Sequence, residues 1–503
     1  MATMIAVDLG AQSGRVALGR FDGERLSVEE VHRFANVPVH VQGILHWDVL
    51  RLYAGVLEGL QAVGSEGRSV DSVAVDSWAI DFGLLDRKGR LVQNPVHYRD
   101  ARRASAVDRV LARVPARELY ERTGIQLIPI NTVFELAAMA AEHDPAFEIA
   151  ERLLMIPDVI HHWLGGDSVC VSEFTNATTT QCFDPRAGTW AFDLLKRLEI
   201  PTHLFPEVVS PGTVLGPLAR DVAQETRLAR VDVIAAATHD TAAAVAAIPF
   251  RRRESAYISA GTWSLVGVEV EQLVINDRTF AANLTNEGGV CGTVRLLRDI
   301  TGLWLLDECR RAWNLEGGEH TVEALVALAG DAPALRSLID PDDPLFVQPG
   351  DMPQRVRQFC EETNQEKPEG PAEVVGCILE SLALKHAQTI RLLREATGVA
   401  PTEVHMVGGG ARNELLCQWT ANAAALPLVA GPAEATQIGN LIMQAIALGE
   451  LSSLDDAREV VSASFQPKVY EPQQSAAWQE ARERFDEIAA VPRPLEDVAH
   501  AVP

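Results

Sequence analysis

The octapeptide DLGAQSGR, Asp8 to Arg15, sets a carboxylate at the end of an apolar run. Two glycines, Gly10 and Gly14, follow in a turn, and Arg15 opens a second apolar run. Each residue type has a chemical use. An aspartate at a strand end can hold a metal ion, directly or through water. Backbone N–H groups of a Gly-rich turn can converge on a phosphate. Arg15 can meet a phosphoryl oxygen or a substrate hydroxyl. A plain hairpin with Asp8 capping its turn needs the same residues, and on this stretch alone it is the better reading. Neither GxxxxGK[ST] nor GxGxxG is present here, so the stretch is no P-loop and no dinucleotide fingerprint.

A second stretch, GTWS from Gly261 to Ser264, repeats the hairpin pattern. The Thr262 N–H and hydroxyl can contact a second phosphate, while Trp263 reads as a core aromatic. In VIAAATHDTAAAVAAI (233–248), an apolar strand ends in Thr238-His239-Asp240-Thr241 and an Ala-rich helix begins. Asp240 at that helix start is an ordinary capping residue. It is also well placed to accept a proton from a hydroxyl, with the helix dipole expected to lower its pKa. His239 reads as a structural or substrate-positioning neighbour. VGGGARNELL (407–416) has three glycines between strand and helix, which permits close backbone approach to a flat ligand; a flexible loop is the plainer reading. Asp76, Trp78, Asp81 and the stretch His97–Arg103 offer the aromatic and polar groups a sugar site needs. Each alone reads as a strand-end or surface residue.

These residues need elements to position them. The chain has 503 residues, with two large domains as the natural expectation. Residues 4–35 read as three strands and 47–66 as a helix with Leu50, Tyr53, Leu57 and Leu60 on one face. VDSVAVDSW follows as a buried strand, then a hairpin turning at Lys88-Gly89. The second half repeats strand, Gly turn, strand at 255–270, with helices at 300–316 and 372–398. The order is that of an α/β protein in two similar halves. We expect domains at 1–247 and 248–490, joined near AIPFRRRES, and a disordered tail at 491–503. A net charge of −25 argues against nucleic acid and anionic membranes as partners. Seven cysteines without CxxC spacing indicate neither a disulfide framework nor a zinc site. With no leader and no long apolar run, a cytoplasmic protein is expected.

Ten stretches, in order, are similar to those of a known family: AVDLGAQSGR, HRFAN, DSWAIDFGLLD, YRDAR, GIQLIPINT, FTNATTTQ, THDTAAAV, ISAGTWSL, AANLTNEGG and VGGGARN. Together they resemble the FGGY carbohydrate kinases over roughly residues 4–470, and among them the members acting on L-rhamnulose. The resemblance implies two ribonuclease H-like (actin/hexokinase-like) domains flanking a cleft. It implies ATP as co-substrate, Mg2+, and phosphorylation of the sugar's C1 hydroxyl. By position it makes Asp240 the proton acceptor, with His239 and Thr241 at the sugar. Ala11, Gln12, Ser13, Gly14 and Arg15 match the segment lining substrate and phosphate. Asp8 falls near the metal, and Thr262 and Gly409 near ATP. Three positions depart from the family: Ala79 stands where Gly is common, Asp299 where Asn is expected beside the substrate, and Asp307 where a nucleotide-side Gln is expected. The partners so implied are a small sugar and ATP, with the chain a monomer or homodimer. A kinase for another ketose (L-fuculose, L-xylulose), a catalytically silent sugar-binding homologue and an actin-like ATPase are the alternatives.

Overall fold

A computed structural model of the chain describes residues 1–489, apart from 251, 253, 348, 474 and 475. The expected tail at 491–503 lies outside the described residues. Two sheets carry the fold. The first has six strands, in the order Thr213–Pro217, Asp232–Ala235, Ser72–Ser77, Ala2–Leu9, Ser13–Phe21, Leu26–Ala35. The second has seven, in the order Thr285–Gly288, Val294–Thr301, Trp263–Val270, Ser255–Ala260, Glu403–Val407, Leu428–Ala430, Lys468–Tyr470. In each sheet a central strand pairs antiparallel with the strand after its Gly turn. On its other side it pairs parallel with a later strand. The repeat read from the sequence is therefore a repeat of topology.

Alternation along Ala2–Leu9 shows why the apolar run is unbroken. Ile5, Val7 and Leu9 face one core, with the helix Val49–Ser65, while Met4 and Ala6 face another. A strand covered on both faces needs apolar residues at every position. The second of these cores is shared by the two sheets. It holds Met4, Ala6 and Ala74 from one, Tyr257, Leu297 and Val407 from the other. Between them lie the helices Asp240–Ala246 and Ala435–Ala447. These two helices cross so closely that a Cβ at Gly439 would overlap the Ala243 carbonyl oxygen. The small residues 242–244 make that approach possible.

Some expected elements differ. The Val49–Ser65 helix buries Val49, Leu52, Val56, Leu60 and Val63, and Leu50 is exposed. Of the four expected residues Leu60 is buried and Tyr53 and Leu57 are partly buried on the same core, so the stripe is centred nearer Leu52 and Val56. The turn at Lys88-Gly89 forms, with Asp86 accepting from the Lys88 and Arg90 N–H groups. Its return arm is a single bridge, because Phe82–Asp86 takes Ala150–Met155 as its partner. The helix expected from 300 begins at Trp304, since residues through Thr301 complete a strand. Among the described residues no helix is long and apolar enough to cross a membrane.

Candidate active site

The two Gly-turn hairpins and the start of the Asp240–Ala246 helix meet at a cavity of about 260 Å³ between the sheets. Sheet register accounts for its floor. In the parallel pair Asp8 lies beside Asp76, and in the antiparallel pair it lies beside Arg15, with a guanidinium nitrogen 4.0 Å away. The Ser77 N–H donates to the Thr238 carbonyl at 2.9 Å, which ties the loop carrying His239 and Asp240 to the end of the same sheet. That loop is also held from behind. Buried Glu173 accepts from the Thr238 N–H at 2.9 Å and its hydroxyl at 2.7 Å, and the Thr175 hydroxyl accepts from the His239 N–H at 3.2 Å.

Of the residues singled out in the sequence, Asp8, Ala11, Arg15, Ala79, His239, Asp240, Thr241, Thr262, Asp299 and Gly409 line this cavity. Gln12, Ser13, Gly14 and Asp307 do not line it. The Ser13 carbonyl accepts from the Gly10 N–H and closes the turn, and a Cβ at Gly14 would run into the Phe34 ring. Gln12 Nε2 donates to Asp307 Oδ2 at 3.1 Å, a contact from one half of the molecule to the other. The triple glycine is no free loop. A Cβ at Gly408 (φ +79°) would come within 2.9 Å of the Ala260 carbonyl oxygen, and Gly410 packs on the Ala260 side chain. Gly409 alone has open space, and it faces the cavity beside Gly261 and Thr262.

The remaining polar candidates form the wall. Asp81 is fully buried and accepts from Trp47 Nε1 at 2.6 Å and Trp78 Nε1 at 2.9 Å, and it pairs with buried Arg103. Asp81 and Arg103 thus fix the Trp78 ring and do not themselves reach the cavity. Ile80, next to Ala79, sits at φ +66° and lines the cavity. A β-branched residue in that region is strained, and such strain concentrates at functional sites. His97 stacks on Trp47, and burial pushes its pKa down to about 3. Trp263, read as a core aromatic, stands partly exposed at the cavity edge with Tyr98.

Electrostatics reverse one expectation. The Asp240 side chain keeps 31% of its exposure and lines the cleft. Burial, and then the charge of Asp8, push its pKa up to about 7. The helix it starts has only seven residues, so its dipole is outweighed by desolvation. Asp8 and Asp76 are also raised, chiefly by burial. Asp76 accepts from Asn440 Nδ2 at 2.6 Å, while its Oδ1 is buried with no hydrogen-bond partner among the described residues. Asp8 lines the cleft, with buried Asp76 and its orphaned oxygen beside it in the sheet, an acidic floor that fits a divalent cation shared with a phosphate. Among the described residues no cluster of three or more His, Cys, Asp or Glu side chains could hold a metal alone. Mg2+ needs no such cage, since one or two carboxylates plus phosphate and water suffice.

Sequence reasoning assigned no role to Asn131, Thr179 and Glu287, which also line the cavity, as does Tyr98 of the stretch singled out for a sugar site. All three lie in stretches quoted above for the resemblance (GIQLIPINT, FTNATTTQ and AANLTNEGG), so the signal was regional and not residue-specific.

Residues 3–247 match the model of the FGGY family of carbohydrate kinases, N-terminal domain, and residues 256–448 that of its C-terminal domain. The chain is 42% identical over 480 residues to a rhamnulokinase of Bacteroides thetaiotaomicron, covering 95% of this chain and 98% of that one. A rhamnulokinase of Enterococcus faecalis is 39% identical over 472 residues, 93% of this chain and 94% of its own. Among solved structures, a ligand-bound xylulose kinase from Lactobacillus acidophilus superposes with TM-score 0.79 at 18% identity, covering 97% of this chain and 98% of that one. Plasmodium falciparum glycerol kinase with ADP superposes at 0.75 and 15% identity, covering 97% of this chain and 98% of that one.

Proposed function

The chain belongs to the FGGY family of carbohydrate kinases, and from that premise we infer that it transfers the γ-phosphoryl of ATP to the C1 hydroxyl of L-rhamnulose. One observation carries the chemistry. Asp240 stands at the cavity where the Gly10 and Gly261 turns converge, as a carboxylate whose pKa is pushed up to about 7. A base poised near the working pH, and fixed by its surroundings, is what deprotonating a hydroxyl requires. The choice of sugar rests on relatives that are 38–42% identical along nearly the whole chain.

In this reading Asp240 accepts the C1 proton as the C1 oxygen bonds to the γ-phosphorus. The bond to the β,γ-bridging oxygen breaks and ADP leaves. Trp78, Ala79, Tyr98 and the apolar Ile125, Ile128 and Ile130 shape the sugar side and exclude water. The backbone N–H groups of Ala11 and Thr262, at the tips of the two turns, face the phosphates, and Gly409 gives the nucleotide a flat approach. Arg15 meets a phosphoryl oxygen. Mg2+, held from Asp8, supplies charge neutralisation of the phosphates when bound. Domain limits of 1–247 and 248–490 are included in this proposal.

The test is ADP release from MgATP in the presence of L-rhamnulose, L-fuculose, L-xylulose, D-xylulose or glycerol, with a no-sugar control. L-Rhamnulose is expected to give the highest kcat/KM. Higher kcat/KM on another ketose would overturn the sugar, and ADP release independent of sugar would overturn the kinase.

A further inference from the structure

His239 and Asp240 are met by two charged residues of the other sheet that the reading above leaves without a role. Arg295, in the strand Val294–Thr301, is fully buried. Its cross-strand neighbour is Glu287, in Thr285–Gly288, which is also buried. Arg295 Nε donates to the Gly288 carbonyl at 3.0 Å. Arg295 Nη2 lies 3.0 Å from His239 Nδ1 and 3.1 Å from Glu287 Oε2. On the other side of the ring, His239 Nε2 is 3.4 Å from Asp240 Oδ1.

The donor inventory decides what these distances mean. A guanidinium has N–H groups only and does not lose its charge. A nitrogen 3.0 Å from it accepts, so His239 Nδ1 carries a lone pair and the ring proton sits on Nε2. Glu287 Oε2 is also within 3.4 Å of Nδ1, but an Nδ1–H turned toward it would meet the closer guanidinium donor. The Nε2–H is therefore on the Asp240 side of the ring, with Oδ1 3.4 Å away. The Thr241 hydroxyl donates to that same oxygen at 3.2 Å. The Thr241 hydroxyl thus holds Oδ1, with the His239 Nε2–H beside it, and Oδ2 is the oxygen left to take a proton.

We propose that Arg295, held by Glu287, is a positioning residue for phosphoryl transfer: it fixes His239 in the Nε2–H form, which orients the Asp240 carboxylate and leaves Oδ2 for the substrate hydroxyl. The inference rests on Asp240 being the base. The other charged groups around the pair are Asp8, Asp76 and Arg15 on the first sheet, Glu173 behind Thr238, and Asp299 beside Glu287. Arg15 is paired with Asp8 and the other four are acidic, so Arg295 is the donor at Nδ1.

Nitrogen-15 NMR of the histidine-labelled full chain, with His239 assigned by the His239→Gln variant, reads the ring directly. The wild type is expected to show a bare Nδ1 and a protonated Nε2, unchanged between about pH 5 and 8. Removing both charges together in Glu287→Gln/Arg295→Met avoids stranding one buried ion. In that variant the ring should become a tautomer mixture that titrates, with kcat falling about 10–100-fold and sugar KM moving less than about threefold. Arg295→Lys, which also offers only donors, should restore the tautomer and most of kcat. An Nδ1–H or doubly protonated ring in the wild type overturns the inference, as does a double variant with unchanged kcat. A wild type with no sugar-dependent turnover overturns the functional reading itself. A wild type that turns over with the wrong tautomer overturns only the role of Arg295.

Discussion

Asp240 shows how one side chain acquires a chemical role from its surroundings. On the sequence it is a helix-capping aspartate, whose dipole environment would keep it strongly acidic. In the fold, burial and the neighbouring Asp8 raise its pKa to about 7. Asp240→Asn keeps size and hydrogen bonding while removing the base. We expect kcat to fall by at least about 10²-fold with ATP affinity preserved, measured by calorimetry beside steady-state rates. The pH dependence follows in sign. The free enzyme holds the proton-accepting form above about pH 7, so kcat/KM should climb as pH rises through 7 and fall below it. Asp299 is a second case. Burial first, and Glu287 next, push its carboxyl well above the ordinary range, a direction that favours the protonated form. A protonated carboxyl offers one donor and one acceptor, much as an Asn amide does. Asp299→Asn should therefore leave kcat and sugar KM within about threefold; a larger loss would mean that the ionised carboxylate is the working form.

At the scale of elements, local punctuation was legible and distant partnership was not. The two Gly-turn hairpins, the Asp240 helix start and the strand–glycine–helix at 403–424 were readable because turns and strand ends are set by nearby residues. The partner of Phe82–Asp86 lies more than sixty residues away, at Ala150–Met155, and no local signal names it. Asn440, which holds Asp76 from 364 residues away, is equally silent in the sequence. Glu287 and Arg295 fall in the same class, since burial and not residue type makes them matter. The triple glycine marks the boundary between the two kinds of knowledge. Its composition suggested close approach to a ligand, but only the packing shows that Gly408 and Gly410 fit against Ala260 while Gly409 faces the cavity. Gly408→Ala should force the loop off the Ala260 strand, because φ +79° disfavours a side chain and the carbonyl oxygen blocks it. A several-fold rise in the KM for ATP with sugar KM unchanged is the expected result. Equal changes in both would show that the loop serves overall stability and not the nucleotide.

At the scale of the whole molecule, the two halves are bound differently at the base of the cleft and at its rim. The base is a shared apolar core around the Asp240–Ala246 and Ala435–Ala447 helices, and it moves only if that packing is lost. The rim is held by polar and cation–π contacts that can break individually. Gln12 bonds Asp307, and Arg99 reaches from beside Tyr98 to the opposite half. The Arg99 guanidinium lies 4.2 Å from the Trp304 ring and 5.2 Å from the Trp263 ring, and it donates to the Val347 carbonyl at 3.1 Å. Such contacts favour the arrangement in which the two rims meet by roughly 1–3 kcal/mol. An apparent affinity falls with the fraction of protein in the competent state, so weakening closure raises KM before it touches the chemical step. Arg99→Ala should therefore raise sugar KM by about 5–150-fold, with kcat changed much less. Small-angle scattering should show a larger radius of gyration for the free variant than for the free wild type, and the two should converge at saturating sugar and nucleotide. An unchanged radius together with a lowered kcat would place Arg99 in the chemistry and not in closure.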